Sequence, residues 1–112
     1  MKNLEDIKIT GLETIEKELK AVKNLRSSVN EDFAASVNLI YNSSGRVVIT
    51  GIGKSAIIAN KIVSTLNSTG TPSIFMHAAD AIHGDLGIIR SEDIIICISK
   101  SGETPEIKVL VP

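Results

Sequence analysis

The chain has 112 residues, enough for one domain with a real hydrophobic core and too few for two. A net charge of −1 and a pI near 6.1 exclude a basic face for nucleic acid. An aromatic content of 3% leaves too few rings to stack on single-stranded bases.

The first residues, Met1 to Ile15, are charged and lack an apolar signal core, and no apolar run reaches membrane-spanning length. A single cysteine, Cys97, cannot close an internal disulfide. Set in an apolar run, it reads as a small core residue in a reducing compartment. These features predict a cytoplasmic protein with no membrane partner.

From Leu12 the apolar positions Leu12, Ile15, Leu19, Val22 and Leu25 recur at helical spacing between Glu and Lys residues. Thr10 and Glu13 fit a capping box, so this helix starts there or, with Gly11 tolerated, nearer Leu4. The narrow stripe suits packing against another helix or another subunit; packing within the domain is the plainer alternative. Residues 27–30 interrupt the pattern, and Asn30 before Glu31-Asp32 is a good helix start. That second helix runs through Phe33, Val37, Ile40 and Tyr41 and ends in Asn42-Ser43-Ser44-Gly45.

A first strand follows over Arg46–Thr50, then the turn Gly51-Ile52-Gly53, then a periodic helix with Ile58, Ile62 and Leu66 along one face and Ala59 and Val63 beside it. Gly70 fits a C′ position. Thr71-Pro72 opens a second strand from Ser73 to Met76 or His77. Residues 78–87 read as a connection holding a short helix. A third strand covers Asp93–Ile98, and its unbroken apolar run suits the interior of a parallel sheet covered on both faces. The loop Ser99-Lys100-Ser101-Gly102-Glu103-Thr104 leads to Pro105 at a helix N1 position, before Glu106, Ile107, Val109 and Leu110. Strands alternating with helices predict an α/β fold, a doubly wound parallel sheet of flavodoxin-like order. Its division would be 1–44 for two N-terminal helices and 45–112 for the α/β core. Three strands make a small sheet for this class, so the chain reads as a partial domain with one sheet edge unprotected.

Two loops carry the candidate chemistry. The first, Gly51 to Ser55, joins a strand to a helix N-terminus, where backbone N–H groups point at an anion. A Walker A loop needs glycine at position 48, which is Val48. Gly51, Gly53 and Ala56 match a dinucleotide fingerprint, but the second strand ends in Phe75-Met76-His77 without the ribose-binding acid, Asp80 lying three residues on. The second loop sets Ser99, Ser101, Gly102 and Thr104 at the carboxyl end of a strand just before a helix. Hydroxyls with loop N–H groups can surround one phosphate without metal or nucleotide. Alternatively, such residues only cap a helix and fill a turn. His77 at a strand end reads as structural. His77, Asp80, His83 and Asp85 do not form a recognised zinc spacing.

With these loops, Gly51-Ile52-Gly53-Lys54-Ser55, His83-Gly84-Asp85-Leu86-Gly87 and Ser99 to Glu106 resemble the SIS (sugar isomerase) domain family. Within it they are most similar to D-arabinose 5-phosphate isomerases of the KdsD/KpsF/GutQ type, over about Arg46 to Leu110. The resemblance implies interconversion of D-arabinose 5-phosphate and D-ribulose 5-phosphate through an enediol, supplying Kdo for lipopolysaccharide or capsule, with no metal and no cofactor. It implies that Gly53, Ser55, Ser99, Ser101, Gly102 and Thr104 hold the phosphate. Lys54 then stabilises developing negative charge, Glu106 serves acid–base work, and His83 lines the site. The bland alternatives are a solvated Lys54 on a first turn, a Glu106 that favours the helix dipole, and a hydrogen-bonded loop His83. Lys100 stands where these isomerases usually carry a small polar residue. The resemblance also implies a homo-oligomer, a dimer or tetramer with sites at subunit interfaces, and further acid–base residues, strands and paired CBS domains beyond Pro112. A non-catalytic sugar-phosphate sensor is the competing function, and a dinucleotide-binding domain is a third.

Overall fold

The computed structural model describes residues 3–103 and 105–110. The chain falls into two compact units, Met1–Leu39 and Ile40–Pro112.

In the first unit, α1 spans Leu4–Asn24, a 3-10 turn covers Leu25–Ser28, and α2 begins at Glu31 and runs to Tyr41. The expected capping box does not form. Asn3 is the cap, its Oδ1 accepting the Asp6 N–H at 2.8 Å, and the start falls at the earlier of the two expected places. Thr10, one turn further in, instead donates its hydroxyl to the Asp6 carbonyl at 2.9 Å. Helix α1 buries none of its residues. Asn30 opens α2 as expected, accepting the Phe33 N–H at 3.1 Å.

In the second unit, β1 (Val47–Gly51), α3 (Lys54–Ser68), β2 (Ser73–His77), α4 (Ala78–Ile82), a 3-10 turn (Asp85–Ile88), β3 (Ile94–Cys97) and α5 (Pro105–Leu110) follow in order. The strands form one parallel sheet of order β2-β1-β3. The chain steps from β1 to one neighbour and then returns to the other side, the doubly wound arrangement that the alternation predicts. Strand β1 is shifted by one residue from the expected span and lies central and wholly buried. Its side chains divide between two faces. Val47 and Ile49 join Ala59 with Val63, Leu66 and Phe75 against them, whereas Val48 joins Met76 and Ala81. Burying each such valine or isoleucine contributes about 1.5–3 kcal/mol.

The burial of α3 differs from the expected face. Ala56, Ala59, Val63 and Leu66 turn to the sheet, while Ile57, Ile58 and Ile62 are exposed. Two alanines let the helix approach the sheet closely, and bulkier isoleucines there would hold it off. At its other end Thr69 is the C-cap, Gly70 takes φ 92° at C′, and the Thr71 N–H reaches the Leu66 carbonyl at 2.9 Å. Asn67 then clamps Ser73 at the start of β2, donating to its carbonyl at 3.0 Å and accepting its N–H at 2.8 Å.

Strand β3 is shorter than expected. It pairs with β1 alone among the described residues, and Ile95 is 44% exposed. Cys97 is accordingly half-buried rather than a core residue, and that burial pushes its thiol pKa up. Asp93, expected in the strand, precedes it and anchors the lower end of the sheet. Its carboxylate, 1% exposed, takes the Arg46 guanidinium at 2.8 Å, the Arg46 N–H at 3.0 Å and the Arg90 N–H at 2.9 Å. Arg46 also donates to the Ile88 carbonyl at 2.8 Å, so one ion pair joins the approaches to β1 and β3. These charge-assisted bonds, led by the guanidinium, hold the Asp93 carboxyl well below the usual range.

Candidate functional site

Parallel pairing of β1 with β3 decides where the two loops go. Thr50 is the register partner of Cys97, and the Ile98 N–H donates to the Thr50 carbonyl at 2.9 Å. The chain therefore leaves two adjacent strands, about 4.8 Å apart, at the same carboxyl edge. One exit leads through Gly51-Ile52-Gly53 into α3, the other through Ser99 to Glu103 towards α5. Helix α3 covers the face of Val47 and Ile49, while α4 covers the face of Val48 and Met76 and packs against α5. The helices after β1 and β3 thus diverge to opposite faces and leave the crevice where open α/β sheets bind ligands.

The first loop is shaped by two glycines. A Cβ on Gly51 would stand 3.1 Å from the Ser55 carbonyl carbon, so glycine permits α3 to begin hard against the strand end. Gly53 is the N-cap of α3 with φ 62°, a left-handed value that costs other residues energy. It has no side chain to cap the helix, there is no acid in the first turn, and Lys54 occupies N1. Compare the other helices. Asn3 caps α1, Asn30 caps α2, and His77 Nδ1 caps α4 by accepting the Ala79 N–H at 3.2 Å. Only α3 of these four lacks a side-chain cap and carries a cation at its positive end, which disfavours a helix and suits an anion. Ser55 lies half-buried on this first turn.

The second loop closes on itself. Ser99 Oγ accepts the Gly102 N–H at 3.0 Å, and Ser101 Oγ accepts the Glu103 N–H at 3.0 Å. The turn-filling role weighed from the sequence is therefore real. A hydroxyl that accepts, as Ser101 does, keeps its own O–H. Gly102 takes φ 72°, and Glu103 pairs with Lys108 of α5. Lys100 is exposed in the same loop. Thr104, the last hydroxyl of the expected set, lies outside the described residues.

His83 is the C-cap of α4, its backbone N–H donating to the Asp80 carbonyl at 3.0 Å, and Gly84 follows at φ 130°. Glu106 sits half-buried in the first turn of α5. The structure thus joins Gly53, Lys54 and Ser55 to Ser99, Ser101 and Gly102 through strand pairing, and sets His83 and Glu106 on the packed α4–α5 pair. Sequence reasoning missed Thr50. Its Oγ1 is fully buried at the end of β1 and has no hydrogen-bond partner among the described residues. His77, read from the sequence as structural, is indeed the cap of the short helix expected within 78–87. No group of three or more potential metal ligands occurs among the described residues. Nor is any helix among them long and apolar enough to cross a membrane.

A family model described as SIS domain matches residues 39–112. The chain is 45% identical over 103 residues to arabinose 5-phosphate isomerase GutQ of Shigella flexneri, covering 92% of this chain and 32% of that protein. It is 46% identical over 99 residues to arabinose 5-phosphate isomerase KdsD of Pseudomonas aeruginosa, covering 88% of this chain and 30% of that one. A solved structure of an Escherichia coli CFT073 protein in complex with arabinose 5-phosphate superposes with a TM-score of 0.91 at 42% identity, covering 99% of this chain and 59% of that chain. The chain spans about a third of the length of the curated relatives it matches.

Proposed function

The chain belongs to the SIS domain family, and we propose that it serves a phosphosugar isomerase interconverting D-arabinose 5-phosphate and D-ribulose 5-phosphate. The observation that carries this reading is the α3 N-terminus, uncapped and headed by Lys54, beside the serine loop that leaves the neighbouring strand. Uncapped N–H groups, a cation and nearby hydroxyl donors fit a dianionic phosphate better than any neutral group. The printed names of the relatives, and the sugar phosphate bound in the Escherichia coli structure, supply the sugar.

In this reading Gly53, Ser55, Ser99, Ser101, Gly102 and Thr104 hold the phosphate and fix the sugar chain for reaction. Isomerisation then moves one proton from C2 to C1, and one from the 2-hydroxyl to the carbonyl oxygen. C1 is reduced and C2 oxidised, so no external electron carrier is needed. The Lys54 ammonium stabilises negative charge on the enediolate oxygen. Glu106 is the candidate for moving the carbon-bound proton, and His83 lines the sugar. The division into N-terminal helices over 1–44 and a sugar-phosphate core over 45–112 follows from the same reading. So do a cytoplasmic site of action, a homo-oligomeric assembly and a supply role for Kdo synthesis.

The test is turnover of D-arabinose 5-phosphate followed by NMR, paired with amide shifts on titration. Binding should perturb Gly53 to Ser55 and Ser99 to Gly102, NAD should perturb neither, and Lys54→Met should lower kcat at least about 100-fold. Saturable binding without turnover would move the chain to the sugar-phosphate sensor reading. Binding that bypasses both loops would refute the site.

A further inference from the structure

His77 stands at the last position of β2, the register partner of Gly51, the first glycine of the α3 loop. Its ring lies edge-on to Phe75, with centroids 6.2 Å apart and planes at 84°. It thus continues the side-chain row in which Phe75 packs against Ile49. From there Nδ1 accepts the Ala79 N–H at 3.2 Å, the N2 amide of α4. The ring thus offers Nδ1 as an acceptor to the helix start.

Helix α4 needs that cap. At five residues it is barely more than one turn, far below the length at which a helix holds itself. It is held by the burial of Ala78, by that of Ala81 over Val48 and Met76, by its packing against α5, and by the His77 bond. Its other end is His83, the C-cap, whose backbone N–H is tied to Asp80 of the same helix. The strand end, the cap, the single turn and His83 therefore form one continuous hydrogen-bonded connection, from His77 to His83.

We propose that His77 is a positioning residue: as the N-cap of α4 it sets the place of His83 beside the sugar without touching substrate itself. Its functional half rests on the isomerase reading above. The phosphate grip, built on α3 and the serine loop, does not pass through α4, so loss of the cap should spare substrate binding and slow the chemical step.

The experiment compares the protein with His77→Ala and His77→Asn. Asparagine is among the best N-cap residues and restores an acceptor for the Ala79 N–H. The expected result is a kcat about five- to tenfold lower in His77→Ala, with KM within about twofold. His77→Asn should return kcat to within about twofold of the wild type. Long-range 1H–15N spectra of the unliganded protein should show His77 protonated at Nε2 and bare at Nδ1. Full kcat in His77→Ala, with only a lowered melting temperature, overturns the inference and leaves a purely structural cap. An Nδ1-protonated ring overturns it alone, whatever the activity. Absence of turnover in the wild-type protein overturns the isomerase reading and takes the functional half with it.

Discussion

Thr50→Val tests the description of the central strand most sharply. Thr50 is fully buried on the α4 face of β1, in the row of Val48, with Met76 and Cys97 as register partners. Its carbonyl is satisfied by the Ile98 N–H, but its hydroxyl has no partner among the described residues. A buried hydroxyl without a hydrogen bond costs about 1–3 kcal/mol. Valine has nearly the same shape, so the substitution removes that cost without opening a cavity or crowding the core. The expected gain is about 1–2 kcal/mol. With a urea m-value of about 2 kcal/mol/M, the unfolding midpoint rises roughly 0.5–1 M while m stays constant. Sugar-phosphate titration should be unchanged, because the valine replaces a group sealed beneath the loop. A lower midpoint would refute the reasoning, since it would mean that the hydroxyl is bonded in the folded protein and that valine strands its partner.

Three further outcomes concern Asp93, Gly45 and Gly11. Because its partners depress the folded pKa of Asp93, the stability this carboxylate contributes is complete above the ordinary carboxyl range and drains away as pH falls below about 4. Urea midpoints from pH 6 down to pH 2 should show that acid limb, and Asp93→Asn should flatten it; parallel profiles would contradict the assignment. At Gly45 a Cβ would lie 2.1 Å from the Glu92 carbonyl oxygen, a backbone atom that cannot swing aside. Gly45→Ala should cost about 1–3 kcal/mol, whereas Gly11→Ala on the open surface of α1 should gain up to about 1 kcal/mol, both read by thermal melting.

What the sequence made legible were features that local chemistry decides. The run Val47 to Gly53, the Asn30 start, Gly70 at C′ and Pro105 at the head of α5 each depend on residues a few places apart. The two candidate loops were legible for the same reason, since glycine turns and serine clusters advertise themselves. Features decided by distant partners were not. Asp93 looks like the first residue of a strand until Arg46, 47 positions away, is folded beside it. The buried face of α3 was misread because hydropathy ranks Ile58 and Ile62 above Ala56 and Ala59. Packing distance ranked the alanines first. The half-burial of Cys97 and the exposure of Ile95 depend on what lies beside β3, which an apolar run in the sequence does not mark.

The feature that most separates a ligand site from well-made scaffolding is a local fault. Three helices of this chain receive a cap from Asn3, Asn30 or His77, each worth about 1 kcal/mol. Helix α3 has none, and Lys54 at its first position adds a repulsion of about 0.3–1 kcal/mol with the helix dipole. Stability alone favours an ordinary N-cap backbone with serine or aspartate at position 53 and an acid at 54. The fault lies instead at the one edge where two adjacent parallel strands release their loops towards opposite faces. A bound phosphate would supply what the helix lacks, accepting its uncapped N–H groups and neutralising both lysine and dipole. The same arrangement that weakens α3 by about 1–2 kcal/mol would therefore strengthen its hold on a dianion, so that under the proposed function local instability and affinity share one cause.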